Sequence, residues 1–279
     1  MQVLTKQIEI IKADGTKEFF SRDKLDESLV RAGASSELRE KIITHVESEL
    51  ASGMTTTEIY RHAFRLLAVS EKPLAMRYSL RRALVGFGPT GFPFEDYVGE
   101  IYKALGFEVE VGKILQGHCV AHEVDLIAYN GEKLIMGEVK FHNELGLKTD
   151  LKVILYVKAR VDDLKEMEFF YGNKYQKVTE GALITNAKFT DNAMKYGTCQ
   201  GITMLGWNYP QKGNLQDVIE AHGLHPLSCL SSLPLSHKRE LYDRGVVLCK
   251  SLRDESLVSL LRLSDEQQRS VKEELALLC

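Results

Sequence analysis

Two acidic residues and a lysine in the middle of the chain have the types and the spacing that a metal-dependent hydrolase uses. Asp125 lies in the apolar run 124–129, and Glu138 and Lys140 lie in the run 134–141. Hydrolysis of a phosphodiester needs a nucleophilic water and positive charge against the transition state, and Mg²⁺ held by carboxylate oxygens supplies both. Lys140 would orient or help to deprotonate the water. The pattern therefore predicts a catalytic set of Asp125, Glu138 and Lys140.

A β-hairpin is expected to position this set. Asn130-Gly131 separates the two apolar runs and suits the positive backbone angles of a two-residue turn. Such a turn sets Asp125 opposite Met136 and diagonal to Glu138 on one sheet face, which Lys140 shares. The alternative is a surface hairpin whose charges are merely solvated. A strand aspartate at a compatible register, ahead of Glu-x-Lys, favours the site.

The chain from residue 94 to about residue 207 resembles the Mrr-like branch of the restriction-endonuclease-like superfamily, whose signature is Asp followed by Glu-x-Lys. The matching segments are residues 94–107, Gly117, residues 122–128, residues 137–140 and residues 182–193. The resemblance implies an α/β fold with a mixed sheet flanked by helices, and an endodeoxyribonuclease of the kind found in restriction systems. Two departures are Glu-Val-Lys, where many relatives have Cys before Lys, and the segment 205–209, which replaces a closing Asp-Gly.

Carried over by position, the resemblance makes Asp125 and Glu138 ligands of Mg²⁺ or Mn²⁺ and Lys140 the catalytic lysine. Glu95 matches a glutamate on the first helix of the family that sometimes completes the metal site. An exposed helix glutamate without such a role is an equal alternative for Glu95. The substrate implied is DNA.

The N-terminal region carries a second signal. Strand-like runs at 8–12 and 16–20 flank Asp14-Gly15, Ser21 is placed to cap a helix, and helical patterns follow over 36–50, 55–69 and 72–85. Thr55 and Glu58 have the spacing of a capping box. A hairpin followed by four helices resembles the ATP-cone, the small nucleotide-sensing module of ribonucleotide reductases and their repressor.

The ATP-cone resemblance implies ATP or dATP as an effector. Lys12 and Lys24 would meet its phosphates, Thr56 would offer a hydroxyl, and Tyr60, one turn on, would join the edge of the pocket. The alternative is that both lysines are solvated charges and that Tyr60 belongs to the core. No Gly-x-x-x-x-Gly-Lys-Ser/Thr loop occurs in the sequence, which argues against a P-loop hydrolase.

The Gly- and Pro-rich segment 86–93 has the composition of a linker. We therefore predict three parts: an ATP-cone over 1–88, an Mrr-like catalytic domain over 89–210 and a helical C-terminal region over 211–279. The last part vaguely resembles helix-hairpin-helix modules, in which His237, Lys238 and Arg239 would touch DNA. A helical cap packed on the nuclease is an equal alternative.

Composition sets the remaining expectations. The 279-residue chain has a net charge of −3 and contains no run of about 18 apolar residues. Its first residues lack the pattern of an export signal, so we expect a cytoplasmic protein without membrane contact. The five scattered cysteines suggest reduced thiols. Six basic residues against three acidic ones over 133–160 suit either a DNA track or a solvated face.

Taken together, these features predict a metal-dependent DNA endonuclease regulated by ATP or dATP, and a homo-oligomer, because cutting both strands requires two active sites. The alternative is a catalytically silent, nucleotide-responsive DNA-binding regulator. An enzyme of nucleotide metabolism lacks support, because no cysteine or glycyl-radical pattern of the reductase type occurs.

Overall fold

The computed structural model of the protein describes residues 8–88 and 91–278. It divides into two compact units, the first ending at Arg82 and the second beginning at Ala83. The segment 1–7, on which the expectation about export falls, and residues 89–90 of the predicted linker lie outside the described part. The three-part division of the chain stays a prediction.

The first unit is a two-stranded hairpin with helices. Its elements are β1 (Glu9–Ile11), β2 (Lys17–Phe19), α1 (Arg22–Arg31), α2 (Ser36–Glu49), α3 (Thr56–Ser70), α4 (Lys72–Tyr78) and α5 (Leu80–Val85), the last of which continues into the second unit. The predicted caps are confirmed: Ser21 accepts from the Lys24 N–H, and Thr55 and Glu58 form the capping box. The helix predicted over 72–85 is interrupted at Ser79, so five helices replace the four expected.

The second unit contains a five-stranded mixed sheet. Its elements up to the last strand are α6 (Phe92–Ala104), β3 (Glu108–Gln116), β4 (Ala121–Tyr129), β5 (Leu134–Lys140), β6 (Lys148–Thr149), α7 (Leu151–Lys165), β7 (Glu168–Tyr171), β8 (Lys174–Lys177), β9 (Glu180–Thr185), β10 (Lys188–Phe189), α8 (Asp191–Cys199) and β11 (Ile202–Leu205). The strand order is β11-β9-β5-β4-β3; β3, β4 and β5 are antiparallel, whereas β9 and β11 extend the sheet in parallel.

Helices cover both faces of this sheet. On one face α6 approaches so closely that a Cβ at Gly99 would lie 3.3 Å from the Val111 side chain. On the other face α7 buries Val157 and Val161 against Leu183. The predicted α/β class, a mixed sheet flanked by helices after an N-terminal helical region, is therefore confirmed.

The predicted two-residue turn between β4 and β5 is wrong. Strand pairing sets Leu126 opposite Gly137, and the connecting loop is 130–133. The Asn130 side chain builds this loop by accepting the N–H groups of Glu132 and Lys133, each at 2.9 Å, in an Asx-type turn. Asp125 is consequently level with Glu138 and not, as predicted, with Met136.

The C-terminal part of the second unit is helical. It comprises α9 (Leu215–His222), α10 (Leu235–Tyr242), α11 (Glu255–Leu260) and α12 (Asp265–Leu278), with 3₁₀ turns at Leu227–Cys229 and Cys249–Arg253. The Tyr97 hydroxyl on α6 donates to the Leu224 carbonyl at 2.8 Å, which ties this region to the sheet. No helix among the described residues is long and apolar enough to cross a membrane. No disulfide joins Cys119, Cys199, Cys229 or Cys249 among the described residues.

Candidate functional site

The three predicted catalytic residues lie together on one face of adjacent strands. With Leu126 opposite Gly137, continuing the register by one residue puts Asp125 directly across from Glu138, and Lys140 follows two residues later on the same face. The Asp125 Oδ2 atom accepts the Val139 backbone N–H at 2.8 Å, which fixes the carboxylate against β5. Both carboxylates are half-buried, while Lys140 is exposed.

Glu95 joins this group from the N-terminal turn of α6. Burial raises its pKa to about 7, and the nearby charges of Asp125, Asp96, Glu123 and Glu138 act in the same direction. For Asp125 and Glu138, burial is again the largest cause of a raised pKa. Half-buried carboxylates that repel one another destabilise their own charged forms, and a cation among them would relieve that repulsion.

Arg160 on α7 is a member of the site that the sequence analysis did not single out. Its Nη1 donates to Glu138 Oε2, and the two side chains are only 10% and 17% exposed. The guanidinium also lies over the ring of Tyr156, one helical turn earlier, at 4.4 Å. The sequence shows that Tyr156 and Arg160 are four residues apart, but only the packing of α7 against the sheet places Arg160 beside Glu138 of β5.

The donors available for a metal ion are few in this arrangement. Among residues 8–88 and 91–278, no three or more His, Cys, Asp or Glu side chains converge so as to hold a metal ion. The Glu138 carboxylate faces Arg160, and the Asp125 carboxylate faces the backbone of β5. A paired set of two oxygen donors is what this part of the structure offers.

A buried polar network orders the chain beyond Lys140. The Thr185 hydroxyl donates to the Lys140 carbonyl at 2.7 Å and accepts from Thr149, and the Asn186 amide donates to the His142 carbonyl at 2.8 Å. Asn186 also accepts the His142 backbone N–H. These bonds join the carboxyl ends of β5 and β9, so the backbone that carries Lys140 is held against β9.

Asp163 on α7 anchors the loop between β3 and β4. Its carboxylate accepts the backbone N–H groups of Cys119 and Val120 and lies 2.7 Å from His122 Nε2. The hydrogen bond from His122 is the main reason that the pKa of Asp163 is held well below its usual range. Gly117 is required in this loop because a Cβ there would collide with Asp163 and with the Val120 carbonyl.

The predicted DNA track over 133–160 is partly neutralised. Lys133 pairs with Glu180, Lys158 pairs with Asp162, and Arg160 pairs with Glu138. The remaining members are Lys140, Lys148 and Lys152, all exposed. They lie at the end of β5, in β6 and in the first turn of α7, and Lys140 is the one of the three whose charge acts on Asp125 and Glu138.

In the first unit, the residues predicted to meet a nucleotide lie near one another. The Glu18 carboxylate is 2.8 Å from Lys24 Nζ and 3.5 Å from Lys12 Nζ, and the hydrogen bond from Lys24 is the main cause of the lowered pKa of Glu18. An isolated bridge pairs Ile11 with Thr55. Lys12 and Thr56, each one residue further along, therefore emerge side by side.

Tyr60 stands in an aromatic stack that the sequence analysis missed. Its ring is parallel to that of Tyr78 at 5.2 Å, and the guanidinium of Arg82 lies over it at 4.0 Å. Burial raises the pKa of Tyr78 to about 12. Tyr78 and Arg82 thus both pack against the half-buried ring of Tyr60, which places Tyr60 at the border of the helical core.

The three residues predicted to contact DNA in the C-terminal region differ in exposure. His237 and Lys238 on α10 are half-buried, and Arg239 is exposed. Burial lowers the pKa of Lys238. Lys238 is thus partly withdrawn from the surface that a DNA backbone would contact.

Comparison with known proteins gives the family. Residues 8–85 match the ATP cone domain, which confirms the predicted N-terminal module, and residues 225–279 match the family described as AF1548-like, C-terminal. An uncharacterised protein of Archaeoglobus fulgidus is 33% identical over 155 residues, which cover 56% of this chain and 83% of that protein. The chain belongs to the AF1548-like family.

One solved structure extends the likeness to the fold. The crystal structure of AF1548, a protein of unknown function, is similar with a TM-score of 0.56 and 29% sequence identity. The match covers 68% of this chain and 98% of that one. The AF1548-like protein described here therefore combines a family fold with an ATP cone domain.

Proposed function

We propose that this AF1548-like protein is a metal-dependent DNA endonuclease of the Mrr-like type, regulated by ATP or dATP at its ATP cone. The observation that carries the proposal is the register of β4 and β5, in which Asp125 is level with Glu138 and Lys140 follows on the same face. This is the Asp, Glu-x-Lys arrangement of a nuclease with a mixed sheet. The order α6, three antiparallel strands, α7, β9, α8, β11 also suits a restriction-endonuclease-like fold.

The electrostatics favour a divalent cation as the partner of these carboxylates. Asp125, Glu138 and Glu95 all have raised pKa values through burial and mutual repulsion. Mg²⁺ commonly takes only one or two protein carboxylates and completes its octahedron with water and substrate phosphate, so two paired oxygen donors are sufficient. A bound Mg²⁺ or Mn²⁺ would supply positive charge at the phosphate and lower the pKa of a water molecule.

The chain's own residues have separate roles in this proposal. Asp125 and Glu138 would hold the cation, and Glu95 on α6 would add negative charge near it, since the described residues bring no third carboxylate to the same point. Lys140, exposed beside them, would orient the attacking water or take its proton. The network of Thr185 and Asn186 holds the backbone from which the Lys140 side chain extends.

DNA is the proposed substrate because of the charge around the site. Lys140, Lys148 and Lys152 are exposed cations without an ion-pair partner in the described part of the chain. Exposed cations of this kind attract the phosphate backbone of DNA without contacting the bases. Two copies of the chain would be needed to cut both strands.

Nucleotide regulation rests on the ATP cone. A nucleotide shifts an equilibrium only by binding one state more tightly than another. We propose that ATP or dATP binds at Lys12, Lys24, Thr56 and Tyr60 and favours one oligomeric state of the nuclease.

The deciding experiment is cleavage of supercoiled plasmid, methylated and unmethylated, with Mg²⁺ or Mn²⁺ and with or without ATP or dATP. Wild type should convert the plasmid to nicked or linear forms, and Glu138→Ala and Lys140→Ala should not. Glu144→Ala, an exposed carboxylate change in the following loop, is the matched control and should cut normally. Cutting that is equal in wild type and Glu138→Ala would refute the proposed site.

A second candidate is a catalytically silent, nucleotide-responsive DNA-binding regulator. The observation in its favour is the Glu138–Arg160 ion pair, which engages the carboxylate needed for catalysis. This candidate predicts DNA and nucleotide binding by the full chain with no cleavage under any of the conditions above.

A further inference from the structure

The Glu138–Arg160 pair has features that a purely structural ion pair lacks. Buried ion pairs are favourable only when further hydrogen bonds satisfy their remaining donors and acceptors. Among the described residues, however, Arg160 Nε is buried without a hydrogen-bond partner. The guanidinium is held from one side by the Tyr156 ring and from another by Glu138. The face of the guanidinium is therefore packed on an aromatic ring, whereas at its edge Nη1 donates a hydrogen bond and Nε, among the described residues, does not.

Arg160 also lies close enough to both carboxylates of the site to stabilise their charged forms. The carboxylates of Asp125 and Glu138 are both within reach of its field, which lowers their pKa values against the effect of burial. Glu138 has no other hydrogen-bond partner in the part of the chain that the structure describes. The Arg160 guanidinium thus supplies positive charge to the half-buried pair of Asp125 and Glu138.

We propose that Arg160 is an internal cation of the active site, which holds Glu138 while no divalent ion is bound, releases it to the ion, and then contacts a phosphate oxygen of the DNA. The inference rests on the proposed function. A guanidinium suits both roles because it is always charged and its planar fork matches carboxylate and phosphate alike. The exchange of partners consequently needs no proton transfer. Tyr156 would keep the ring-stacked guanidinium near the site throughout.

The first test measures Mn²⁺ binding to the full chain by titration calorimetry without DNA. If the ion pair blocks Glu138 nine-tenths of the time, Arg160→Met should bind Mn²⁺ about tenfold more tightly than wild type. Arg160→Lys, which keeps the charge but not the fork, should show a smaller gain and serves if the methionine variant does not fold. Lys158→Met, on the same helix but paired with Asp162, is the control and should leave the affinity unchanged.

A double variant locates the effect. In a Glu138→Gln background, the gain in Mn²⁺ affinity from Arg160→Met should be clearly smaller, because the competition for the Glu138 carboxylate is gone and only the long-range repulsion between Arg160 and a cation at Asp125 is left. Equal or weaker Mn²⁺ binding by Arg160→Met in the wild-type background would overturn the proposal, since it would make Arg160 a residue that merely positions Glu138. A gain of the same size in the Glu138→Gln background would also overturn it.

The second test measures DNA binding in Ca²⁺, chosen to support binding without cutting. Loss of one phosphate contact in Arg160→Met should weaken binding and reduce the slope of log affinity against log salt by about one. An unchanged slope would overturn the phosphate role. The two proposals fail separately: if wild type never cuts DNA but Arg160→Met still binds Mn²⁺ more tightly, the internal cation stands and the nuclease does not. Absence of Mn²⁺ binding in every variant would overturn both.

Discussion

The two charged clusters of the chain are built in opposite ways. In the first unit, Glu18 lies between Lys12 and Lys24 near solvent, and the lysines lower its pKa. In the second unit, Asp125 and Glu138 are half-buried beside Glu95, and burial raises the pKa of all three. The first cluster sets two lysines beside one carboxylate near solvent, whereas the second sets three acidic side chains together in a half-buried site.

The difference supports a different proposed ligand for each cluster. An exposed lysine can exchange a carboxylate for a phosphate at little cost in solvation, which fits an effector that comes and goes. A nearby positive charge stabilises the charged forms of half-buried carboxylates, which fits the proposed catalytic cation. Substitutions in either cluster can break this contrast, and the largest effect is expected in the second unit.

Asp125→Asn should separate activity from stability in the second unit. The amide still accepts the Val139 N–H but cannot supply a charged metal ligand, so the rate of plasmid cleavage should fall by about 10²–10³-fold. Because a half-buried carboxylate with a raised pKa is replaced by a neutral group, the melting temperature should be unchanged or higher. Glu132→Gln, in the exposed turn, should alter neither quantity. A large loss of stability in Asp125→Asn would show that the charge is structural.

Lys24→Ala tests the cluster of Lys12, Glu18 and Lys24 in the first unit. Loss of one charge-assisted hydrogen bond to a phosphate, about 1.5–3 kcal/mol, should raise the Kd for ATP or dATP by about tenfold to a hundredfold in titration calorimetry. The control is Lys17→Ala on the neighbouring strand β2, where the lysine pairs with Glu9. If both variants bind nucleotide equally well, Lys24 is a solvated charge whose role ends at Glu18.

Part of this arrangement depends on local sequence, and part depends on packing. The caps at Ser21 and Thr55 involve residues three apart, so the sequence predicts them directly. The turn between β4 and β5 was predicted two residues too short, yet Asp125 and Glu138 still share a face. A register error of two residues preserves the face of a strand, whereas an error of one would have reversed it.

Arg160 could not be predicted in the same way. It is separated from Glu138 along the chain by a loop and most of α7, and its role follows from where that helix docks on the sheet. The stacking of Tyr60 on Tyr78 likewise requires α3 and α4 to pack together. The sequence thus predicts which residues share a strand or a helical turn, and tertiary packing decides which charges meet.

The same contrast exists between two carboxylates: Glu138 on β5, which Arg160 of α7 contacts, and Asp163 on α7 itself. Arg160 leaves Glu138 with a raised pKa, whereas Asp163, one turn further along α7, accepts several hydrogen bonds and has a lowered pKa. Gly117→Ala should test the anchored loop, because the added Cβ would lie 2.9 Å from the Val120 carbonyl and collide with Asp163. We expect a loss of about 1–3 kcal/mol in the free energy of unfolding, typical of overpacking.

The matched control for Gly117→Ala is Gly131→Ala. A Cβ at Gly131 meets nothing within 4 Å, so chemical denaturation should show no comparable loss. Equal unfolding free energies for the two variants would mean that the loop between β3 and β4 yields without cost.

The smallest expected effect is the dependence of stability on acid that Asp163 causes. Its pKa is lower in the folded chain than the value of about 3.9 for an unfolded aspartate, so its stabilisation is complete above that pH and is lost as the pH falls toward the folded pKa. The free energy of unfolding of wild type should therefore decline more steeply below about pH 4 than that of Asp163→Asn. Asp162→Asn, at the exposed neighbouring carboxylate, should retain the wild-type slope. If the free energy of unfolding declined equally at low pH in wild type and Asp163→Asn, the hydrogen bonds from His122 and the loop would not favour the charged form of Asp163. The contrast between Asp163 and Glu138 would then disappear.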